Sequence, residues 1–177
     1  MAFAIAPTNS GVQSAYAQYS HVEPAITEPE FPGLLLDYAE VELNLAEALE
    51  RGFAVGGTAA THYANGITAS IMYWGGTQAE ATAYLLNPGV AYSSALYKNR
   101  IGVQKWLALY NRGWDAWTEW RRFDNPVLEE AHDALSGIPV RMPYPVNEQN
   151  LNTSNYEKAS AAIGGDDVTT KVFWDKF

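Results

Sequence analysis

The chain has 177 residues, no cysteine and a formal net charge of −9 at pH 7. At this length roughly 70% of the unfolded chain's surface is buried on folding, enough for a core without disulfides or a structural metal. The absent cysteines exclude thiolate metal sites and thiol catalysis, and 11 Lys and Arg against 20 Asp and Glu leave no basic stripe to release counterions from nucleic acid.

No stretch approaches 18 consecutive apolar residues, so no membrane-crossing helix is expected. Met1-Ala2-Phe3-Ala4-Ile5-Ala6-Pro7 lacks the charged n-region of a signal peptide. Residues 1–33 read as irregular, because Thr8, Asn9, Ser10, Gly11 and the prolines Pro7, Pro24, Pro29 and Pro32 break any long element. A short strand or turn is expected around 16–22.

Pro32-Gly33 opens the first helix, expected over 34–51. Leu34, Tyr38, Val41, Leu45 and Ala48 line one face, and Leu35, Ala39, Leu43 and Ala46 a second, so much of the cylinder should be buried. Arg51 and then Gly52 read as its cationic end and C′ glycine. Thr58 can cap a second helix carrying Tyr63, Ile67, Ile71 and Trp74, ended by Gly75-Gly76. Thr77-x-x-Glu80 is a capping-box pattern for a short third helix through Leu86, stopped by Asn87-Pro88-Gly89.

A fourth helix is expected over 96–112, its main face Leu96, Val103, Leu107 and Tyr110. A sharp corner at Gly113 leads into a fifth, 114–123, ended by Asn125-Pro126. Pro126, Pro139, Pro143 and Pro145 forbid a long helix after it. Residues 138–144 should run extended, and a last short helix is expected over 154–163. The fold expectation is mainly α, built of helix pairs, with an irregular 1–33 and a helical 34–177.

The fifth helix reads Trp114-Asp115-Ala116-Trp117-Thr118-Glu119-Trp120-Arg121-Arg122. Positions i, i+3 and i+7 put Trp114, Trp117 and Arg121 on one ridge, flanked by Trp120. Arg122 falls on the side of Asp115 and Glu119. With the ridge packed inward, Arg121 should be buried and bonded to backbone carbonyls at a helix end or to an acid of the first helix, Glu42 or Glu47, because a buried guanidinium must be paired. Arg122 should then pair with Glu119 on a solvated face.

Other chemistries find little support. His21, His62 and His132 are scattered with no metal-ligand spacing, so no metal site is expected. Asp115 and Glu119 share one helix and cannot flank a sugar from two walls, as glycoside hydrolysis requires. Asp166-Asp167 after a glycine pair reads as an exposed turn rather than a calcium site. Gly-x-Ser-x-Gly and phosphate loops are absent. Tyr92, in the loop 90–95, is the candidate ring for stacking on a sugar.

The motifs in order form a specific set. Leu36-Asp37-Tyr38-Ala39-Glu40-Val41-Glu42-Leu43-Asn44-Leu45-Ala46-Glu47-Ala48, Gln104-Lys105-Trp106, Trp117-Thr118-Glu119-Trp120-Arg121-Arg122, and Ile138-Pro139-Val140-Arg141-Met142-Pro143-Tyr144-Pro145 are followed by Gly164-Gly165-Asp166 and Phe173-Trp174-Asp175. From about residue 32 to 177 they resemble the C-terminal part of the SusD/RagB family of glycan-binding outer-membrane lipoproteins. The resemblance implies a SusD-like scaffold of TPR-like helix pairs that binds oligosaccharide or polysaccharide at the cell surface without catalysis or a cofactor. It also implies a SusC-like TonB-dependent transporter as partner. Family members are longer and anchored through an N-terminal lipidated cysteine, so this chain is expected to be a C-terminal portion. The alternatives are a helix-pair scaffold that docks another protein and, third, an acid–base glycosidase.

Overall fold

The computed structural model describes residues 21–22, 24–131 and 133–175. The expected turn at 16–22 falls largely outside them, as does His132. The chain divides into two compact units, one of Gly33–Val127 and one of Met1–Pro32 with Leu128–Phe177.

The first unit holds α1 (Tyr38–Glu50), α2 (Ala59–Tyr73), α3 (Gln78–Leu85), α4 (Tyr97–Ala108) and α5 (Gly113–Phe123), with a 3-10 turn at Ser94–Leu96 before α4. The mainly α expectation holds, and no strand occurs among the described residues. Side-chain caps set the starts. Asp37 Oδ1 accepts from the Glu40 amide at 2.8 Å, so α1 begins at Tyr38 rather than at 34. Thr58 Oγ1 accepts from the Thr61 amide, and Thr77 with Glu80 forms the reciprocal capping box. Each such cap satisfies amides left orphaned in a first helical turn, worth about 1 kcal/mol. Gly52 and Gly75 take positive φ just past α1 and α2, where a side chain would be strained. The corner between α4 and α5 spans 109–112, and there Asn111, not Gly113, adopts the left-handed conformation.

α1 packs along α2, and α4 packs on α1, α2 and α5. The core joins Ala39, Leu43 and Ala46 of α1, Tyr63 and Ile67 of α2, Val90 of the loop before α4, Ile101 and Ala108 of α4, and Phe123 of α5. The second apolar side of α1 is therefore the inward one, while Tyr38 and Val41 are exposed. α4 is also turned from expectation. Leu96, Leu107 and Tyr110 are exposed, and Ile101, Gln104, Lys105 and Ala108 face in. Two polar residues occupy the inner stripe because partners await them there.

α1 and α2 approach closely at Gly66. A Cβ there would lie 2.7 Å from Leu43 Cγ and 3.0 Å from the Ala39 carbonyl oxygen. Gly102 plays the same part between α4 and α5, where a Cβ would lie 2.8 Å from that of Phe123.

In the other unit, α6 (Val146–Leu151) and α7 (Thr153–Ala162) follow each other with a break at Asn152. α7 lies within one residue of expectation, and α6 was not expected. Residues 138–144 form no helix or strand. The amides of Val140 and Arg141 both donate to the Val168 carbonyl. Asp166 departs from the exposed turn foreseen for it. Its side chain is 3% exposed and 3.1 Å from Arg141 Nη2, and it accepts from the Tyr144 amide. The Arg141 guanidinium in turn lies over the Tyr144 ring.

Gly66→Ala tests the helix contact. Better helix propensity favours alanine by about 1 kcal/mol, but forcing atoms into a filled contact costs about 1–3 kcal/mol. One of the obstructing atoms belongs to backbone, so a net loss is expected. Gly113→Ala, with nothing within 4 Å of its Cβ, should instead stabilise by about 0.4–1 kcal/mol. Urea unfolding midpoints of the two variants check both signs.

Candidate functional site

The surface that α5 presents is decided by a buried cation on α4. The Lys105 side chain is 1% exposed, and its Nζ donates to Glu47 Oε2 of α1 at 2.6 Å and to Glu119 Oε2 of α5 at 2.8 Å. Arg122 donates to Glu119 and also to Glu47 Oε1. Arg51, one turn beyond Glu47, donates to the same Oε1 at 2.7 Å. Two carboxylates thus share three cations. Burial pushes the Glu47 carboxyl up, but Lys105 and Arg122 outweigh it and hold it below its ordinary value. Arg122 is likewise raised: burial opposes its charge, and Glu119 and Glu47 more than compensate.

This network corrects the expected roles of the two arginines. Arg122, not Arg121, supplies the guanidinium for the acid of the first helix. Its pairing with Glu119 is present, but the pair lies on the inner side of α5 rather than on a solvated face. Ala116 and Phe123 are the buried residues of α5. Arg121 keeps its place among the indoles. Its guanidinium lies 3.9 Å from the Trp117 ring centroid, Nε donates to the Trp117 carbonyl, and Nη2 donates to Thr118 Oγ1. Glu42 serves another residue. Its Oε2 lies 2.7 Å from His62 Nδ1 and accepts from Asn65 Nδ2.

His62 is held at both ends. Nδ1 meets Glu42 and Nε2 lies 2.8 Å from the Gly56 carbonyl oxygen. Two acceptors require two N–H donors, the imidazolium form. The Gly56 carbonyl first, and Glu42 next, raise its pKa above the ordinary 6.5. A further clasp joins the start of α1 to the α4–α5 corner. There Arg112 Nη1 donates to Glu40 at 2.7 Å, and Nη2 lies 3.3 Å from Asp37.

With Glu119 and Arg122 turned inward, the indole ridge turns out. Trp114 is 68% exposed, against the core packing expected of it. Its ring meets Trp117 edge-on at 5.7 Å, and its indole N–H makes no hydrogen bond among the described residues. Trp117 and Trp120 are half-buried, and Trp120 Nε1 donates to the Pro126 carbonyl at 3.0 Å. A second aromatic group stands where α2 and α4 end. Tyr73 meets Trp74 at 5.1 Å, and Trp74 meets Tyr110 at 5.3 Å, both edge-on. Tyr92 is half-buried. Its ring is tilted against Tyr63 at 5.5 Å, and its hydroxyl donates to Glu50.

Lys105, His62, Asn65 and Arg112 were missed as partners. For Lys105 a signal existed, since it stands four residues after Ile101 and three before Ala108, on their face of α4. Among the described residues no group of three or more His, Cys, Asp or Glu could hold a metal.

Lys105→Met should destabilise by about 3–5 kcal/mol, because it strands buried carboxylates. Arg122→Met should cost less, about 1.5–3 kcal/mol, since Glu47 and Glu119 keep Lys105. Urea unfolding of both variants checks that order. The pH dependence has two limbs. Glu47 is depressed, so its contribution is present above pH 4.5 and is lost as pH falls through its lower folded value. His62 is raised, so its contribution is complete below pH 6.5 and is lost as pH rises through its higher folded value. Urea midpoints should therefore fall as pH rises above 6.5, and His62→Gln should remove that limb alone.

Residues 4–145 match a SusD-like family model described as starch-binding associating with outer membrane. A solved chitin-binding protein is 35% identical, with a TM-score of 0.68 over 82% of this chain and 34% of its own. A SusD homologue from Bacteroides uniformis is 30% identical, with a TM-score of 0.72 over 82% of this chain and 38% of its own. A chitin-binding SusD homologue from Flavobacterium johnsoniae is 26% identical, with a TM-score of 0.66 over 80% of this chain and 36% of its own. No curated protein matches the chain. The chain spans about a third of the length of these solved relatives.

Proposed function

The chain belongs to the SusD-like family, and on that premise we propose that it is a non-catalytic glycan-binding region of a cell-surface nutrient-uptake protein. The observation that carries the reading is Trp114, a large ring left 68% exposed on a helix otherwise pinned by a buried ion network. An exposed indole offers a flat apolar face and a free N–H, the combination that suits the C–H face and hydroxyls of a pyranose. The surplus of acids disfavours anionic polymers, so neutral α- and β-glucans and chitin-type chains are the ligand class. The starch-binding description of the family and the chitin-binding relatives support the same class.

Tyr92 enters the proposal as a second contact, held in place by Glu50 and Tyr63. The whole protein would sit at the outer membrane through a lipid anchor and pass its glycan to a SusC-like TonB-dependent transporter. These assignments follow from the family and are part of the proposal. The ion network concerns stability and has no place in chemistry, because its carboxylates are already committed to Lys105 and Arg122.

Isothermal titration of the chain against starch- and chitin-derived oligosaccharides tests this reading. Saturable binding without release of reducing sugar is expected. Trp114→Ala should weaken it by about 1–3 kcal/mol if the ring is a central contact. Tyr92→Ala measures the second contact separately. Absence of binding across the panel would overturn the reading, and release of reducing sugar would restore the glycosidase.

A further inference from the structure

Beside the aromatic ends of α2 and α4 lies a groove of about 420 Å³, lined by Ile67, Ser70 and Ile71 of α2, Glu80 and Tyr84 of α3, and Gln104 and Leu107 of α4. Ligand pockets commonly run from about 300 to 1,000 Å³, so this one suits a single sugar unit or a group of similar size. Three aliphatic side chains dominate it. The polar groups among them are underused. Gln104 is 6% exposed, and among the described residues its side-chain amide meets the Tyr84 hydroxyl alone, Nε2 at 3.2 Å and Oε1 at 3.5 Å. A glutamine amide can donate twice and accept twice, so most of that capacity is open. The Ser70 hydroxyl, half-buried, makes no hydrogen bond among the described residues. Glu80 uses Oε2 for the Thr77 cap, and its Oε1 makes no hydrogen bond among the described residues.

Resting on the glycan-binding reading, we propose that this groove is a subsite for the acetamido group of a neutral N-acetylated sugar. An acetamido group carries a methyl and an amide at adjacent positions. The methyl meets Ile67, Ile71 and Leu107, and the amide meets Gln104 and Ser70. A plain hexose would set hydroxyls against the aliphatic floor and leave them unpaired, which costs more than losing a contact. No Lys or Arg lines the groove, and Glu80 stands at it with a free oxygen. An acidic sugar is therefore repelled, and a hydroxyl donor on a neutral ring is accepted.

The test titrates the 177-residue chain, labelled with nitrogen-15, with N,N′-diacetylchitobiose and separately with cellobiose. The two share a β-1,4 linkage and differ at the acetamido positions. Amide shifts at Ser70, Ile71 and Gln104 are expected with the first. Its Kd should be lower than that of cellobiose by about tenfold or more, the discrimination an apolar pocket gives for one methyl-sized group. Ser70→Phe fills the groove and should abolish those shifts. Leu107→Asn, at a half-exposed position, should weaken the preference without affecting the fold. Thermal melts of both variants confirm folding. Equal Kd values for the two disaccharides, or an unchanged preference in either folded variant, overturn the subsite while leaving glycan binding intact. Failure of both disaccharides to bind overturns it as well. In that case the starch-derived oligosaccharides decide whether the broader reading falls too.

Discussion

The Lys105 ammonium, buried between Glu47 and Glu119, is the constraint on which the helical unit depends. An isolated charge at such a depth is strongly disfavoured, and attraction to partners compensates only when the geometry is good. Here the two acceptors come from different helices, α1 and α5, while the donor stands on α4. Sliding or rotating any of the three by one residue would strand a charge. Apolar packing of Ala46, Ile101 and Phe123 tolerates small shifts far better. The network therefore contributes register more than net stability, and Gly66 and Gly102 allow the helices to come close enough for it to form.

That register has a consequence at the surface. α5 has one side of acids and arginine and one of indoles, and only one can face α1 and α4. Apolar burial alone would turn the three tryptophans in. Burying Trp114 would gain about 1.5–3 kcal/mol in the manner of other large side chains. Turning α5 over to do so would break the Lys105 contact to Glu119 and the Arg122 contact to Glu47, each costly to strand. The charged side wins, and the indole of Trp114 is left to solvent. An exposed tryptophan on a rigid helix is then a product of the same network that makes the core specific.

Much of the architecture was legible. Asp37, Thr58 and the Thr77–Glu80 box sit where caps are required, and Gly52 and Gly75 sit where positive φ is required. These are local rules, read within four or five residues. What failed was the inward direction of α4 and α5, whereas one of the two apolar sides read on α1 is the inward one. Periodicity defines a face by its apolar residues. On α4 the inner stripe is Ile101, Gln104, Lys105 and Ala108, which looks mixed until Glu47 and Glu119 are brought to it. Arg121 and Arg122 were sorted correctly into indole and carboxylate sides, yet the side chosen as interior was wrong. Pairing between helices is a long-range fact, and a helical wheel does not contain it. The groove on α2, α3 and α4 was invisible for the same reason, since its lining is spread over about 40 residues.

His62 adds a different kind of constraint. It bridges Glu42 in the middle of α1 to the carbonyl of Gly56 in the connector, so it reports on the α1–α2 hairpin rather than on any ligand. Its two acceptors fix it as a double donor, which no neutral tautomer satisfies. Losing the proton leaves one ring nitrogen facing an oxygen lone pair, next to a carboxylate that is itself mostly buried. The connector 52–57 is then the part of the hairpin that loosens first as pH rises. The Trp114 ridge is held instead through the contacts of Lys105 with Glu47 and Glu119, and the α4–α5 corner through Arg112. The aromatic surface and the connector are thus served by separate contacts of one helix, α1, and loosening of the connector as pH rises should leave the aromatic surface in place.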